Sequence, residues 1–435
     1  MNLLNYLKSL TKGEIMKLSK NTKTPFVCLL NGKLTLVYNL TFYDKPSINF
    51  YDGSSLRQQY ITDKDVIKKI NDKTNTAKAL YKAYGIYQLK NLTSSLYYAG
   101  RIGTDPEVFL GTKKGELIPA FDVLPGKDKP LMSDIAANCG THNKIYWDGY
   151  QAEFDVAANT CLSFVVDSVH NGLKKMLKAS RDKYPGSNFL PVTTADIPAQ
   201  RLQEDKEEHV QFGCMPSFNI YNMKGIRDDG RNVPFRSAGG HIHFGNKIND
   251  YTKIIKSLDA ILGVACVSMF GKYDDGRRRL MYGLAGEYRT PPHGLEYRTL
   301  SNAWMFHPLT MHIIFDLARK VFAFGQKDLG QYWDATEEET IKCINENNID
   351  LAQTILKRNE KLFKLILKSS TRNGSDALVD KLYDNFINGV DSMIADFKNI
   401  ESNWLLDSTW IVHSEGKEKN LGRAIDTIIA GKKVS

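Results

Sequence analysis

The stretch SAGGHIHFG at residues 237–245 alternates two histidines, His241 and His243, with apolar residues. Alternate residues of an extended chain point to the same face, so the pattern predicts a β-strand that presents both imidazoles together. The preceding glycines, Gly239 and Gly240, permit close approach of the backbone to a ligand. We therefore expect this strand to form one wall of a functional site.

Three further segments between residues 100 and 300 place charged side chains two positions apart in strand-like sequence. The pairs are Asp105 with Glu107, Glu153 with Asp155, and Glu296 with Arg298. A half-exposed antiparallel sheet also alternates polar residues, so any single pair has this simpler explanation. These carboxylates, however, lie next to apolar residues, and a buried carboxylate needs a cation. Four carboxylates with one or two histidines form a hard ligand set that favours Mg²⁺ or Mn²⁺ carrying nucleotide phosphates.

Basic residues cluster just before the last of these segments. They are Arg277, Arg278, Arg279 and Arg289, and Lys127 lies in an earlier basic turn, GKDKP. Arginine offers a planar fork of donors that matches phosphate and carboxylate oxygens, so the cluster predicts phosphate binding beside the metal ligands. The simpler explanations are a solvated helix end for the three consecutive arginines and a structural salt bridge between Glu296 and Arg298.

The composition is that of an ordinary globular protein. The chain has 435 residues, 42% hydrophobic and 25% charged, which excludes a disordered or collagen-like chain. Six cysteines lie far apart without a CxxC pair, so neither a zinc cage nor a disulfide framework is predicted. Neither a P-loop nor a GxGxxG motif is present. No apolar run approaches the ~18 residues of a membrane span and no signal peptide is recognised, which predicts a cytoplasmic protein.

The first hundred residues carry the whole positive surplus of the chain. They contain 15 Lys and Arg against 6 Asp and Glu, and they hold 10 of the 21 tyrosines. Basic residues interleaved with aromatic residues suit an anionic polymer such as nucleic acid or an acidic cell-wall chain. The alternative is a solvated, lysine-rich surface. Residues 26–43 predict two strands joined by Asn31-Gly32, and residues 63–90 predict a helix, so residues 1–99 are expected to form a small α+β module.

The rest of the chain divides into two parts of different character. Between residues 100 and 305, short strand-like segments alternate with helical stretches at 160–181 and 251–270, which indicates α+β architecture. Residues 306–435 have a mostly helical pattern and are expected to pack on the core. Their helices are predicted at 309–324, 337–346, 350–369 and 376–397.

The segments DPE, GYQAEFD, AGGHIHFG, AGEYR and GLEYRTLSNAW, in that order, resemble the type-2 carboxylate–amine ligases found largely in tailed phages. These ligases look like distant relatives of glutamine synthetase and glutamate–cysteine ligase. The resemblance covers roughly residues 100–305. It implies a glutamine-synthetase-like catalytic domain in which a curved antiparallel β-sheet with flanking helices surrounds two or three divalent cations, Mg²⁺ or Mn²⁺, with ATP entering from one end.

The resemblance also implies roles for individual residues. It implies metal ligation by Asp105, Glu107, Glu153, His241 and Glu296. It implies contact with the reacting groups by Glu296, Arg298 and Arg289. Binding of ATP is expected from Arg277, Arg278, Arg279, Lys127, Gly239, Gly240, His243 and Asn302, with His243 shaping the site rather than ligating metal.

Two features depart from the family pattern. The segment GCMPS at residues 213–217 resembles a GCDPD stretch, but Met215 and Ser217 replace the acidic residues. An acidic partner upstream of Glu153 is not evident, so the sequence does not predict a complete third metal site.

The predicted activity is ATP-dependent amide formation through an acyl phosphate, with carboxylate and amine substrates derived from peptide or cell wall. An inactive ligase-fold protein that binds polymer or associates with the virion is one alternative. A metallohydrolase, with one metal held by His241, His243 and Glu296, is another. Oligomerisation is compatible with the sequence.

Overall fold

The computed structural model describes part of the chain. Apart from a few isolated positions, the described residues are 26–30, 33–41, 47–51, 56–60, 101–132, 144–156, 162–212, 217–224, 229–245, 250–326, 329–368 and 376–406. Most of the predicted helix at 63–90, the tyrosines between residues 81 and 98, and most of the 213–217 segment lie outside them.

The first four strands form an antiparallel meander. They are β1 (Phe26–Leu30), β2 (Lys33–Thr41), β3 (Ser47–Tyr51) and β4 (Leu56–Tyr60), paired in sequence order. Leu30 lies opposite Lys33, so only two residues connect β1 to β2. This confirms the hairpin predicted at Asn31-Gly32, because such a dipeptide favours the tight turn that matches strand twist.

Two larger antiparallel sheets follow, and they confirm the α+β class together with the helices. Their strands are β5 (Arg101–Gly103), β6 (Glu107–Gly111), β7 (Leu117–Ile118), β8 (Leu131–Met132), β9 (Lys144–Asp148), β10 (Gln151–Phe154), β11 (Asn188–Leu190), β13 (Phe218–Asn219), β15 (Ile242–Gly245), β16 (Glu287–Arg289) and β17 (Leu295–Tyr297). The first sheet has the order β11-β6-β10-β9-β8, with β7 also paired to β6, and the second has the order β13-β16-β17-β15-β5. Two further strands, β12 (Thr194–Asp196) and β14 (Phe235–Ser237), pair as a two-stranded ribbon.

Helices cover the sheets and dominate the C-terminal part. They are α1 (Leu162–Lys183), α2 (Ala199–Glu204), α3 (Glu207–Val210), α4 (Thr252–Ser257), α5 (Val264–Phe270), α6 (Pro308–Gln326), α7 (Glu337–Asn345), α8 (Ile349–Arg358), α9 (Glu360–Lys368) and α10 (Asp376–Asn388). A π-helical segment, Leu258–Gly263, joins α4 to α5. Short 3₁₀ turns lie at Ala120–Asp122, Gly230–Asn232, Gly271–Tyr273, Gly276–Leu280, Asn302–Met305, Leu329–Tyr332 and Val390–Ser392, and a π turn lies at Ser402–Leu406.

The predicted C-terminal helices are confirmed in place but differ in two details. The helix expected at 350–369 is divided, because Asn359 leaves the helical conformation between α8 and α9 and donates its side-chain amide to Asp334 O and Ile355 O. The helix expected to reach residue 397 ends at Asn388. Gly389 follows with a φ of 81°, a conformation that ends helices.

One contiguous apolar core joins the strands to the helices. It includes Ile242 of β15 and Leu295 of β17 together with Phe315 of α6 and Phe386 of α10. The segment Thr252–Tyr273 is long and apolar enough to cross a membrane by length and composition, but 89% of its most apolar stretch is buried in the fold. A core helix meets the same criteria, so the described part of the chain contains no clear membrane span.

Candidate active site

Neighbouring strands of the five-stranded sheet bring distant residues into one row. His243 in β15 lies opposite Gly103 in β5 and, on its other side, opposite Glu296 in β17. Glu296 in turn lies opposite Arg289 in β16. Residues two positions along a strand share the same face of the sheet. This face therefore also carries His241, Arg298 and, just beyond β5, Asp105.

Four of these side chains form a group that we call the histidine cluster: Asp105, His241, His243 and Glu296. His243 Nε2 lies 3.0 Å from Asp105 Oδ1. His241 Nδ1 lies 3.5 Å from Asp105 Oδ1 and 3.6 Å from Glu296 Oε1. One potential ligand atom each from Asp105, His243 and Glu296 lies within 4.8 Å of the other two. His241 and Glu296 are almost fully buried.

Cationic neighbours keep the two carboxylates of the histidine cluster ionised. Burial raises the pKa of Asp105, but the charges of His243 and His241 and their hydrogen bonds outweigh burial and hold that pKa well below its usual value. Burial and Asp105 raise the pKa of Glu296, yet Arg298 and the histidines leave it lowered overall. Burial lowers the pKa of His243, and Asp105 more than reverses that effect.

A second acidic group, the carboxylate cluster, consists of Glu107, Asp148 and Glu153. Glu153 in β10 lies opposite Glu107 in β6, and on its other side the Tyr146 hydroxyl lies 2.9 Å from Glu153 Oε1. Burial, followed by the charges of Asp148, Asp105 and Glu107, raises the pKa of Glu153 well above its usual value. Burial and the charge of Glu107 raise the pKa of Asp148 to about 6.

The two clusters adjoin one another where the chain crosses between the sheets. Asp105 follows β5 of one sheet and Glu107 begins β6 of the other, so these neighbours in sequence belong to different clusters. The charge of Asp105 contributes to the raised pKa of Glu153. The charges of Lys127, Arg298 and Arg289 lower the pKa of Asp148, so the predicted basic residues Lys127, Arg298 and Arg289 do lie near the carboxylates.

Backbone and side-chain donors hold Glu107 in place. The Gly239 N–H and the Tyr282 hydroxyl each donate to Glu107 Oε2 over 2.7 Å. The Asn302 amide donates to Glu107 O at 3.0 Å. A Cβ on Gly239 would lie 2.4 Å from His241 Nε2, so the glycine permits close approach of the protein's own histidine. The roles predicted for Gly239 and Asn302 in ATP binding stay predictions.

Gly240 also has a packing role. A Cβ there would lie 2.3 Å from Ser301 O and 2.4 Å from Trp304 Nε1, and the Trp304 indole donates to Gly240 O at 3.2 Å. The backbone must therefore stay unsubstituted at this position to pack against the turn after β17. Its predicted contact with ATP is likewise untested.

The arginines divide into two sets. Arg298 forms a hydrogen-bonded ion pair with Glu296, and Arg289 Nη1 lies 3.7 Å from Glu296 Oε1. Arg278 and Arg279 are buried and both pair with Asp274, with Arg279 Nη2 at 2.7 Å from Asp274 Oδ2. The structure thus gives this second set a partner inside the protein.

Arg277 differs from its two neighbours in being partly exposed, and it pairs with Asp275 and Asp196. The solvated-helix-end explanation therefore describes Arg277 better than Arg278 or Arg279. Phosphate binding by the three arginines remains a prediction.

Sequence reasoning missed several residues that the structure places at the site. Asp148 is the acidic neighbour of Glu153 that was not evident in the sequence. The sequence did contain a signal, because a glycine directly after Asp148 is typical of a tight turn between two strands. In the structure Gly149 has a φ of 60°, and the turn sets Asp148 opposite Gln151. Tyr282 gave no comparable signal.

His293 was also missed. Its Nε2 lies 3.0 Å from His243 Nδ1, so the far side of the His243 ring contacts a second histidine. A partner at this position orients a metal-ligating imidazole. His293 lies in a loop segment, PPHG, whose sequence has no strand-like alternation to mark it.

The residues present are compatible with divalent cations. Asp105, His243 and Glu296 converge as an oxygen–nitrogen set, and His241 Nε2 is buried without a hydrogen-bond partner within the described residues. Buried polar atoms are normally satisfied, so such an atom indicates a missing partner. The carboxylate cluster collects three acidic groups, and burial disfavours the charge of Glu153 and Asp148, which a cation would relieve.

Residues 227–392 match the family model described as Phage phiEco32-like COOH.NH2 ligase-type 2. The match supports the family resemblance that the order of the motifs indicated, and that family is named for carboxylate–amine ligation. The matched range contains His241, His243, Glu296 and Arg298 and begins after the DPE and QAEF strands. No curated protein matches the chain.

Proposed function

We propose that this protein is an ATP-dependent carboxylate–amine ligase that forms an amide bond through an acyl phosphate. The observation that carries the proposal is the juxtaposition of the histidine and carboxylate clusters, which belong to two adjoining sheets, with Arg289 and Arg298 beside them. This arrangement supports a site for polyvalent anions, because buried acidic groups can hold cations while guanidinium groups contact anionic oxygens.

Two divalent ions are proposed, one at each cluster. Asp105, His243, His241 and Glu296 would hold the first, and Glu107, Asp148 and Glu153 the second. Bound Mg²⁺ or Mn²⁺ would neutralise phosphate oxygens and so reduce repulsion between ATP and an anionic substrate.

The proposed reaction has two steps. A substrate carboxylate oxygen attacks the γ-phosphorus of ATP and ADP leaves, which yields an acyl phosphate. The amine nitrogen then attacks the acyl carbon, inorganic phosphate leaves and the amine loses a proton. Arg298 and Arg289 orient the reacting oxygens and offset the charge that develops on them, a role suited to fixed donors in a buried site.

We also propose the domain division indicated by the sequence. Residues 100–305 would form a glutamine-synthetase-like catalytic domain, residues 306–435 a helical region packed on it, and residues 1–99 a module that recruits an anionic polymer. Peptide or cell-wall carboxyl groups are the proposed substrates.

Trapping with hydroxylamine tests the chemistry. Full-length protein is incubated with ATP, Mg²⁺, hydroxylamine and a panel of carboxylates, and hydroxamate is measured together with phosphate release. Equal amounts of hydroxamate and phosphate are expected for a substrate. Glu296→Gln should lower both by about 10²–10³-fold or more, whereas Glu116→Gln, at an exposed position of the same region, should change neither.

Thermal stability with Mg²⁺ or Mn²⁺, with and without a non-hydrolysable ATP analogue, provides an independent test. We expect a metal-dependent nucleotide shift that Glu296→Gln removes. A protein without any nucleotide shift would contradict the ligase proposal and favour an inactive binding protein. Metal-dependent hydrolysis of a substrate in the absence of nucleotide would favour the metallohydrolase alternative.

A further inference from the structure

We propose that Tyr282 is a positioning residue, one that orients the carboxylate of Glu107 toward a cation and holds the two clusters beside Arg298. The inference rests on the proposed function, because it concerns the cation assigned above to the carboxylate cluster. Tyr282 lies outside the strands of the site, shortly after the turn Gly276–Leu280, and its side chain is partly exposed. It nevertheless contacts members of both clusters.

The Tyr282 hydroxyl has two acceptors within reach and one hydrogen to donate. Its oxygen lies 2.7 Å from Glu107 Oε2 and 3.0 Å from Ser237 O. Ser237 O already accepts from the Gln151 side-chain amide at 2.7 Å. A carboxylate is the stronger acceptor, and here it is also the nearer one, so the hydroxyl hydrogen is directed at Glu107.

Two donors therefore meet on one oxygen of Glu107. The Gly239 N–H donates to the same Oε2 at 2.7 Å, from the segment that leads into β15. Two short hydrogen bonds occupy the directions in which this oxygen accepts. Oε1 is then the oxygen that Glu107 offers to a divalent cation. Without the hydroxyl of Tyr282, the carboxylate is free to rotate and the cation loses a ligand held in a fixed direction.

The ring of Tyr282 contacts the histidine cluster. Its centroid lies 5.6 Å from that of the His241 imidazole with an interplanar angle of 66°, which is an edge-to-face arrangement. The guanidinium carbon of Arg298 lies 5.6 Å from the same centroid, within the range of a cation–π contact. One side chain therefore contacts a member of each cluster and the arginine proposed to orient the reacting oxygens.

The backbone around Tyr282 is fixed on both sides. The Tyr282 N–H donates to Arg278 O at 3.1 Å, and the Gly283 N–H donates to Glu287 Oε2 at 2.6 Å. Gly283 has a φ of 87°, and a Cβ there would clash with the guanidinium of the buried Arg278. A tyrosine on a backbone held in this way can orient a ligand before metal binds.

Calorimetric titration of the metal-free, full-length protein with Mn²⁺ tests the proposal. Tyr282→Phe removes the hydroxyl and keeps the ring, so we expect one of two Mn²⁺ sites to weaken by about 10–100-fold and the other to change by less than about twofold. Tyr288→Phe is the matched control. Tyr288 is a half-buried tyrosine of β16 that alternates with Arg289 and so faces away from the clusters, and its variant should bind Mn²⁺ as the wild type does.

A second variant locates the effect of the hydroxyl. Glu153→Gln lacks a proposed ligand of the carboxylate cluster, so its remaining strong Mn²⁺ site is expected at the histidine cluster. Adding Tyr282→Phe to Glu153→Gln should then change the affinity of that site by less than about twofold. An equal loss of affinity in the presence and in the absence of Glu153 would place the effect outside the carboxylate cluster and overturn the proposal.

Tyr282→Leu removes the ring as well as the hydroxyl. It should in addition weaken the second Mn²⁺ site by about twofold to tenfold, the size expected for loss of an aromatic contact. Two Mn²⁺ sites that Tyr282→Phe leaves unchanged, with only the metal-free Tm lowered, would show a purely structural role and refute the inference alone. Wild-type protein that binds no Mn²⁺ would refute the proposed metal sites and this inference with them.

Discussion

The histidine cluster and the carboxylate cluster are adjacent and similarly buried, yet their acidic groups respond in opposite ways. The pKa values of Asp105 and Glu296 are lowered, whereas those of Glu153 and Asp148 are raised. The difference lies in the partners. Histidines and Arg298 oppose the effect of burial in the first cluster, while mutual repulsion adds to burial in the second.

This contrast indicates how the site is assembled. The histidine cluster is held together by charges that the protein itself supplies, so its geometry exists before any ligand binds. The carboxylate cluster holds like charges beside Tyr146 and Lys127, and it depends more on a bound cation. We therefore expect metal to stabilise the second cluster more than the first.

Glu296→Gln should have the largest effect. The change removes the ion-pair partner of the buried Arg298, and breaking a buried pair costs on the order of 3–5 kcal/mol of stability. Hydroxamate formation should fall by about 10²–10³-fold or more, as for loss of a major electrostatic contact. Activity and Tm equal to those of wild type would show that Glu296 holds neither metal nor arginine.

Glu153→Gln should distinguish the carboxylate cluster from the histidine cluster, because its expected effects on stability and on activity differ. In metal-free protein at neutral pH, Tm should stay the same or rise, since a repelled buried charge is removed and the amide oxygen can still accept from Tyr146. The stabilisation by Mn²⁺ and the activity should both fall, the activity by about 10²-fold. A marked loss of Tm without metal would contradict the proposed repulsion.

His293→Ala should have a smaller effect, confined to metal affinity. Loss of a partner that orients a ligating histidine typically weakens metal binding by about 10–100-fold, and we expect the lower end of that range for Mn²⁺ measured by titration calorimetry. His293→Gln keeps an acceptor at a comparable reach and should restore most of the affinity. Equal loss in both variants would argue against orientation of His243 by His293.

Asp259→Asn should have the smallest effect on the site. It isolates the effect of burial from that of repulsion between carboxylates, because burial alone raises the pKa of Asp259 to about 7. The unfolded pKa is about 3.9, so the folded protein binds more protons between pH 4 and 7 and stability falls as pH rises through that window. Asp259→Asn should flatten this slope in Tm against pH, and Mn²⁺ affinity should change less than about twofold because Asp259 is not a proposed ligand. The exposed Asp384→Asn is the control; an unchanged slope in Asp259→Asn would refute the assignment.

Local patterns predicted much of the architecture. The turn dipeptide at residues 31–32 predicted the first hairpin, and apolar periodicity located α1 and α6 within about two residues. The division at Asn359 was missed because the apolar periodicity continues through it, whereas its side-chain amide donates to the backbone carbonyls of Asp334 and Ile355.

The sequence predicted those parts of the site that lie within a single strand, because alternate residues of a strand share a face. It did not predict the parts in which side chains from several strands meet. The sequence by itself determined that His241 with His243, and Glu296 with Arg298, share a face, since the period of a β-strand is a local property. The order of its motifs also indicated a family resemblance, which the match over residues 227–392 supports.

Only the tertiary structure decided which residues meet across strands and turns. It set Asp148 beside Glu153, His293 behind His243, and Asp274 against Arg278 and Arg279. It also placed Asp105 and Glu107, two residues apart, in clusters of opposite electrostatic character. The physical reason is that charge, burial and hydrogen bonding act over a few ångströms of space regardless of separation along the chain.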